Sequence, residues 1–76
     1  MFIHVGGDIV VLARDIIAIL DYSKPETRKK IEPLLEEARS KGSLIWLDEE
    51  TTKSIIITNQ NIYGSPISSV TLNRRA

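Results

Sequence analysis

The chain has 76 residues with ten basic and ten acidic side chains, so its formal net charge at neutral pH is zero. That length allows one domain with a marginal core, and small domains usually gain stability from disulfides, a metal or a partner subunit. The absence of cysteine excludes disulfides and thiolate metal sites, and a single histidine excludes an imidazole cluster, which leaves self-association as the remaining support.

The N-terminal part of the chain predicts three strands. Residues 2–5 and 9–13 have the composition of short strands, and the Gly-Gly-Asp turn at 6–8 predicts that they pair antiparallel. Residues 16–20 are almost continuously apolar, which is typical of a strand covered on both faces.

The clearest helix signal follows these strands. Ser23 and Glu26 fit a capping box, Pro25 suits the first turn, and Gly42 is a natural residue just after the helix end. Pro33 in the interior indicates either a kink or a regular helix that begins just before it, and the sequence leaves both open. The apolar residues that predict the buried face recur at helical spacing and are Ile31, Leu34, Leu35 and Ala38.

The C-terminal half predicts three further strands. Residues 43–47 and 53–58 flank a polar turn, which predicts that they form a hairpin. Residues 62–67 form a weaker strand, and the glycine and proline within it indicate a position at the sheet edge.

The last residues predict a short helical turn that Ser68 or Ser69 can cap through its side-chain oxygen and that runs through Leu72 to Arg75. We therefore predict an α+β fold: one small, mainly antiparallel domain of about six strands that spans residues 1–76, with one main helix after the third strand.

The chain offers few residues for catalysis, which needs titratable groups that converge in one place. His4 lies among apolar residues in the first strand and fits a structural or surface position. The serines near the C-terminus fit helix capping better than nucleophilic attack. We therefore expect no enzyme, no catalytic residue, no metal, no cofactor and no small-molecule substrate.

The basic residues are more informative, because the neutral total hides an uneven distribution. Residues 23–42 carry six basic and four acidic side chains, and the tail 61–76 has two arginines and no acid. Residues 28–30 (Arg-Lys-Lys) fit a solvated helix face partnered with neighbouring glutamates. Arg14 lies between apolar strands, so its guanidinium must reach solvent, a nearby carboxylate such as that of Asp15, or a phosphate. Lys53 is the first residue of a predicted strand, where an exposed side chain can contact a partner.

Nearly the whole chain carries an ordered series of residues that is densest over 53–76. The series consists of Phe2-Ile3-His4-Val5-Gly6 with Asp8, Arg14-Asp15-Ile16-Ile17 with Ile19, Glu37-Ala38-Arg39 with Gly42-Ser43-Leu44-Ile45, Lys53-Ser54-Ile55-Ile56-Ile57-Thr58, Gln60-Asn61-Ile62-Tyr63, Ser65-Pro66, Ser68-Ser69, Thr71-Leu72 and Arg74-Arg75-Ala76. In this order the series resembles the RemA/RemB family of extracellular matrix and biofilm regulators of Gram-positive bacteria, and it is more similar to the RemB branch.

The resemblance implies a DNA-binding transcription regulator without a cofactor, with a fold like the LytTR DNA-binding domain, that assembles into ring-like oligomers. It also implies that Arg14, before the third strand, contacts DNA. The RemA branch has an arginine cluster at the turn before the fifth strand, where this chain keeps only Lys53 as a cation. We include Arg74 and Arg75 as further candidate DNA contacts.

Repetition can reconcile a neutral subunit with a polyanion. A few phosphate contacts give little affinity, but a ring presents each contact several times, so weak sites act together through a high effective concentration. The alternative is a protein–protein assembly module that does not bind DNA itself, which the zero net charge and the acidic turn at 48–50 favour.

The expected location follows from the hydropathy of the chain. No apolar run approaches the roughly 18 residues of a membrane span. The N-terminal residues lack the basic start of a signal peptide, and aspartates interrupt their apolar pattern. We therefore expect a cytoplasmic protein that does not contact a membrane and whose partners are double-stranded DNA and further copies of itself.

Overall fold

A computed structural model describes all 76 residues. The strands and helices are β1 (Phe2–Gly6), β2 (Ile9–Leu12), β3 (Ile16–Asp21), α1 (Pro25–Ser40), β4 (Leu44–Trp46), β5 (Ser54–Thr58), β6 (Ile62–Ser65) and α2 (Ser69–Arg75). The first two strands form an antiparallel hairpin, and the other four form a sheet in the order β3-β5-β6-β4, in which only the β4–β6 pair is parallel. The predicted α+β fold is confirmed, with its main helix after the third strand and a short helix at the end. Neither helix has the length and apolar character that crossing a bilayer requires.

Two predictions about the C-terminal strands are wrong. The segments β4 and β5 do not form a hairpin, because β5 lies between β3 and β6, and β4 pairs with β6 instead. The glycine-containing strand β6 is therefore internal rather than an edge. Its Gly64 lies opposite Trp46, and a Cβ at Gly64 would be 2.2 Å from Cε3 of the indole. Here the glycine marks the close approach of a ring, and Pro66 falls just after the strand, where it removes no hydrogen bond from the sheet.

The prediction that the third strand is covered on both faces is also wrong for the single chain. Strand β3 pairs only with β5 and forms an edge of the sheet, and none of its residues is fully buried. The pairing register shifts between Ile16 and Ala18, and Ile17 at this irregularity is 68% exposed. An apolar edge of this kind is a place where another chain can pair or pack.

The main helix begins differently from the prediction. No capping box forms, because Lys24 occupies the N-cap position without a side-chain hydrogen bond. The backbone N–H and the hydroxyl of Ser23 both donate to Oδ1 of Asp21, at 2.9 and 2.5 Å. This local turn competes with capping for the same serine. The helix begins at Pro25 and continues through Pro33, so a late start is excluded.

The end of α1 confirms the role predicted for Gly42. This glycine has φ of +74°, and its N–H donates to the carbonyl of Arg39 at 3.1 Å. The N–H of Ser43 donates to the carbonyl of Ala38 at 2.9 Å, which completes a Schellman motif.

Strand β5 divides the core into two clusters. Ile55 and Ile56 are both fully buried, and successive residues of a strand point to opposite faces. Ile55 belongs to the cluster beneath α1, with Leu35 and Ala38. Ile56 belongs to a cluster on the other face, which also contains Ile3, Val5, Val11 and Leu72. The molecule is therefore layered, with α1 on one face of the sheet and the β1–β2 hairpin with α2 on the other.

Candidate nucleic-acid interface

Arg14 is exposed on a short 3-10 turn, Ala13–Asp15, that joins the hairpin to β3. Two backbone bonds hold this turn: Ala13 N–H donates to the carbonyl of Met1 at 2.9 Å, and Asn59 N–H donates to that of Asp15 at 3.1 Å. No carboxylate oxygen lies within 4.0 Å of the Arg14 guanidinium. The two ion pairs of the chain are formed by Arg39 and Lys41. The alternative in which Arg14 pairs with Asp15 is therefore excluded, and its charge is open to solvent.

Lys53 precedes β5 and is also exposed. Its backbone is fixed on both sides, since its N–H donates to the carbonyl of Ser65 at 2.7 Å and its carbonyl accepts from Tyr22 N–H at 2.9 Å. The side chain forms no ion pair. The exposed acidic turn at 48–50 precedes it in the chain, and Thr52 fixes this turn by donating its hydroxyl to the carbonyl of Asp48 at 2.7 Å.

The register of the sheet separates Arg14 from Lys53. In the antiparallel β3–β5 pair, Ile16 lies opposite Thr58 and Asp21 lies opposite Ser54. Arg14 therefore lies beyond one end of this pair and Lys53 beyond the other. The five residue steps between Ile16 and Asp21 alone span roughly 17 Å at about 3.4 Å per residue. One subunit does not bring the two cations into a single site, so they can only contact separate phosphates.

Arg74 and Arg75 lie in the last turn of α2, which Ser68 caps by accepting a hydrogen bond from Thr71 N–H at 3.2 Å. This confirms the predicted C-terminal helical turn. Arg75 is partly used within the subunit, because its Nη1 donates to the carbonyl of His4 at 2.9 Å. Arg74 is exposed without such a contact. Nε2 of His4 lies 2.7 Å from the carbonyl oxygen of Gly7, so this histidine is a surface residue that supports the turn after β1.

The sequence prediction for Arg28 is wrong in its choice of partner. Arg28 does not pair with a glutamate: its guanidinium carbon lies 4.8 Å from the centroid of the Tyr22 ring, and its Nε donates to the Tyr22 carbonyl at 2.6 Å. Tyr22, three positions before the helix, was the available sequence signal. It lies six positions before Arg28, however, and residues six apart do not face each other on a helix. Arg28 is exposed and lies at the Lys53 end of the sheet, so it is a further cation on this surface. From the sequence we predicted only a solvated helix face at this position.

Two other basic residues are paired along α1. Arg39 bonds to Glu36, and Lys41 bonds to Oε1 of Glu37 at 2.8 Å. The hydrogen bond and the charge of Lys41 hold the pKa of Glu37 below its ordinary value. Of the ten basic side chains, these two have a carboxylate partner within 4.0 Å, which leaves eight without one. The zero net charge of the chain therefore does not mean that its cations are neutralised locally.

Two comparisons with known proteins show what the chain is similar to. Residues 2–76 match the model of the RemA-like family, which is described as extracellular matrix regulatory protein A-like. The chain is also similar to extracellular matrix regulatory protein B of Bacillus subtilis (strain 168), with 42% identity over 78 aligned positions that cover 100% of this chain and 90% of that protein.

Proposed function

The chain belongs to the RemA-like family, and from this membership and its unpaired surface cations we propose that it is a DNA-binding transcriptional regulator. In this proposal it controls extracellular matrix and biofilm genes in the cytoplasm and works as a ring-like homo-oligomer. The observation that carries the proposal is that Arg14, Lys53 and Arg74 are exposed without a carboxylate partner.

The proposed contact with DNA is through phosphates. Each guanidinium or ammonium that neutralises a phosphate releases condensed counterions, so the logarithm of the binding constant falls with the logarithm of the salt concentration by about 0.9 per contact. Arg14 and Lys53 suit this task because backbone hydrogen bonds fix the segments that carry them. Since the two residues lie at opposite ends of the sheet, one subunit offers separated contacts, and affinity depends on repeating them.

Exposed apolar side chains support the proposed self-association. Phe2 and Val10 on the hairpin are 69% and 53% exposed, and Ile17 on the β3 edge is 68% exposed. Covering such side chains stabilises a complex by roughly 25 cal/mol for each Å² of apolar surface removed from water. A second copy that packs on the β3 edge would also bury the apolar side chains of this strand, which its sequence predicts to be covered. A head-to-tail contact that closes gives a ring.

The test of DNA binding is a titration of labelled duplex DNA, followed by fluorescence anisotropy at several salt concentrations. We expect Arg14→Ala to weaken binding and to flatten the salt dependence by at least about 0.9. The matched control is Arg39→Ala, which removes an exposed arginine that already has a carboxylate partner, Glu36. Light scattering must show the same mass for both variants and the parent. Unchanged binding by Arg14→Ala would remove this residue from the interface.

A second candidate function is an assembly module that binds protein rather than DNA. The exposed acidic turn at 48–50 favours it, because carboxylates next to Lys53 repel phosphate. The same titration separates the two proposals. An intact oligomer that fails to bind duplex DNA even at low salt selects the assembly module.

A further inference from the structure

The Arg28 side chain is held in one place although it is exposed. Its Nε donates to the carbonyl of Tyr22 at 2.6 Å, and its guanidinium lies over the ring of the same residue at 4.8 Å from the centroid. The Tyr22 ring is in turn near Trp46, with centroids 6.2 Å apart and planes tilted by 53°. These two contacts to Tyr22 already restrict the rotamers of the Arg28 side chain. Binding a ligand therefore costs less side-chain conformational entropy than it does for a mobile surface arginine.

The terminal nitrogens of this guanidinium are free. A guanidinium has five N–H donors, and the bond to the Tyr22 carbonyl uses the one on Nε, so the outer fork makes no hydrogen bond within the chain. Neither of the neighbouring glutamates, Glu26 and Glu32, forms an ion pair with Arg28. Oδ1 of Asp21 accepts both bonds from Ser23, and these bonds hold the pKa of Asp21 below its ordinary value. Such a free fork matches the oxygens of a phosphate.

Tyr22 also connects Arg28 to Lys53. Its N–H donates to the carbonyl of Lys53 at 2.9 Å, and its own carbonyl accepts from Arg28. Standard backbone dimensions then place the Lys53 carbonyl oxygen and Nε of Arg28 no more than about 10 Å apart. Nε of Arg28 therefore lies near the backbone of Lys53 at the same end of the sheet, in contrast to Arg14 at the other end.

We propose that Arg28, seated on Tyr22, and Lys53 form one two-cation site for the phosphate backbone of duplex DNA. The inference rests on the proposed DNA binding and adds a second cation beside Lys53. Lys24, Lys29 and Lys30 at the start of α1 increase the local positive potential, whereas Asp21, Glu26 and the acidic turn at 48–50 reduce it. Because the site contacts phosphates, it contributes affinity without reading the base sequence.

The test uses the full chain and two duplexes of unrelated sequence. We expect Arg28→Ala to weaken binding to both duplexes equally and to flatten the salt dependence by about 1 for each copy of Arg28 that contacts DNA. Arg28→Lys, which keeps the charge, is expected to retain the salt dependence. Tyr22→Leu is expected to weaken binding with the salt dependence kept, because the arginine remains but loses its support. Arg39→Ala is again the control for an exposed helix arginine.

The outcomes distinguish this inference from the proposal beneath it. If Arg28→Ala binds as tightly as the parent, with the same salt dependence, while Arg14→Ala binds more weakly, the two-cation site is refuted and DNA binding stands. If the parent chain does not bind duplex DNA at low salt, the proposed function itself fails. Arg28→Gln provides a second charge-removing variant that keeps a hydrogen-bond donor, in case Arg28→Ala does not fold.

Discussion

Replacing Gly64 by alanine tests the close packing of β6 against Trp46. An alanine Cβ would lie 2.2 Å from Cε3 and 2.5 Å from Cζ3 of the indole, where ordinary contacts begin at about 3.4 Å. The ring or the strand must therefore move by more than about 1 Å. Gly→Ala in a strand interior is otherwise favourable by roughly 0.5–1 kcal/mol, so a loss of stability isolates the overlap. We expect Gly64→Ala to lower the free energy of unfolding by about 1–3 kcal/mol.

The assay is thermal and urea unfolding, followed by circular dichroism at one fixed protein concentration, because self-association makes the midpoint depend on concentration. A loss of 1 kcal/mol shifts the melting temperature of a domain this small by roughly 4–8 °C. The matched comparison is Gly64→Ala in a Trp46→Ala background, which removes all three indole atoms that lie nearest to an alanine Cβ at this position. In that background, we expect the alanine to cost nothing, which gives a coupling energy equal to the overlap.

Two results would refute this reasoning. Gly64→Ala could prove as stable as the parent, which would mean that the indole does not rest on the strand as described. Alternatively, the loss could be the same in the Trp46→Ala background, which would place its cause in the backbone rather than in the ring.

Three further predictions concern stability and ionisation. Ser65→Ala is expected to lower the free energy of unfolding by about 1–3 kcal/mol in urea, because it removes the hydroxyl that donates to the buried carbonyl of Val5 at 2.5 Å; a neutral result would contradict that bond. Leu72→Ala, at a fully buried position, is expected to cost about 2–5 kcal/mol by the same measurement, and a loss below about 1 kcal/mol would show that α2 is not anchored there. Ser23→Ala is expected to raise the pKa of Asp21 toward its ordinary value of 3.8 in a carboxyl NMR titration. Because the folded-state pKa is lowered, the parent gains this contribution to stability above the ordinary pKa and loses it as the pH falls through the folded value. An unchanged pKa would exclude the serine hydroxyl as a cause, since alanine keeps the backbone N–H that also donates to Asp21.

Local sequence signals predicted the elements better than their arrangement. Gly42 and Ser68 act within a few residues of their own positions, so the end of α1 and the start of α2 followed from the sequence. The pairing of β4 with β6 depends on contacts between distant segments, such as Leu47 N–H donating to the carbonyl of Gly64 at 2.9 Å. A short polar turn between two strand-like segments indicates a hairpin only if no other strand competes for the same edge.

The candidate interface shows the same division. The sequence singled out Arg14 and Lys53 individually, because each lies next to an apolar strand. Their separation could not be predicted, since it depends on the β3–β5 register. The support of Arg28 by Tyr22 was missed because it depends on how the chain turns between β3 and α1, where Asp21 takes the hydrogen bonds of Ser23.

The salt dependence of duplex DNA binding by the intact protein tests the central claim most directly. The proposed contacts of one subunit are Arg14, Arg28, Lys53, Arg74 and Arg75, and one phosphate for each gives a slope of log affinity against log salt no steeper than about −4.5. Repetition of these contacts in an oligomer predicts a slope clearly steeper than that limit. A slope within the limit, or no binding at low salt, would contradict the account.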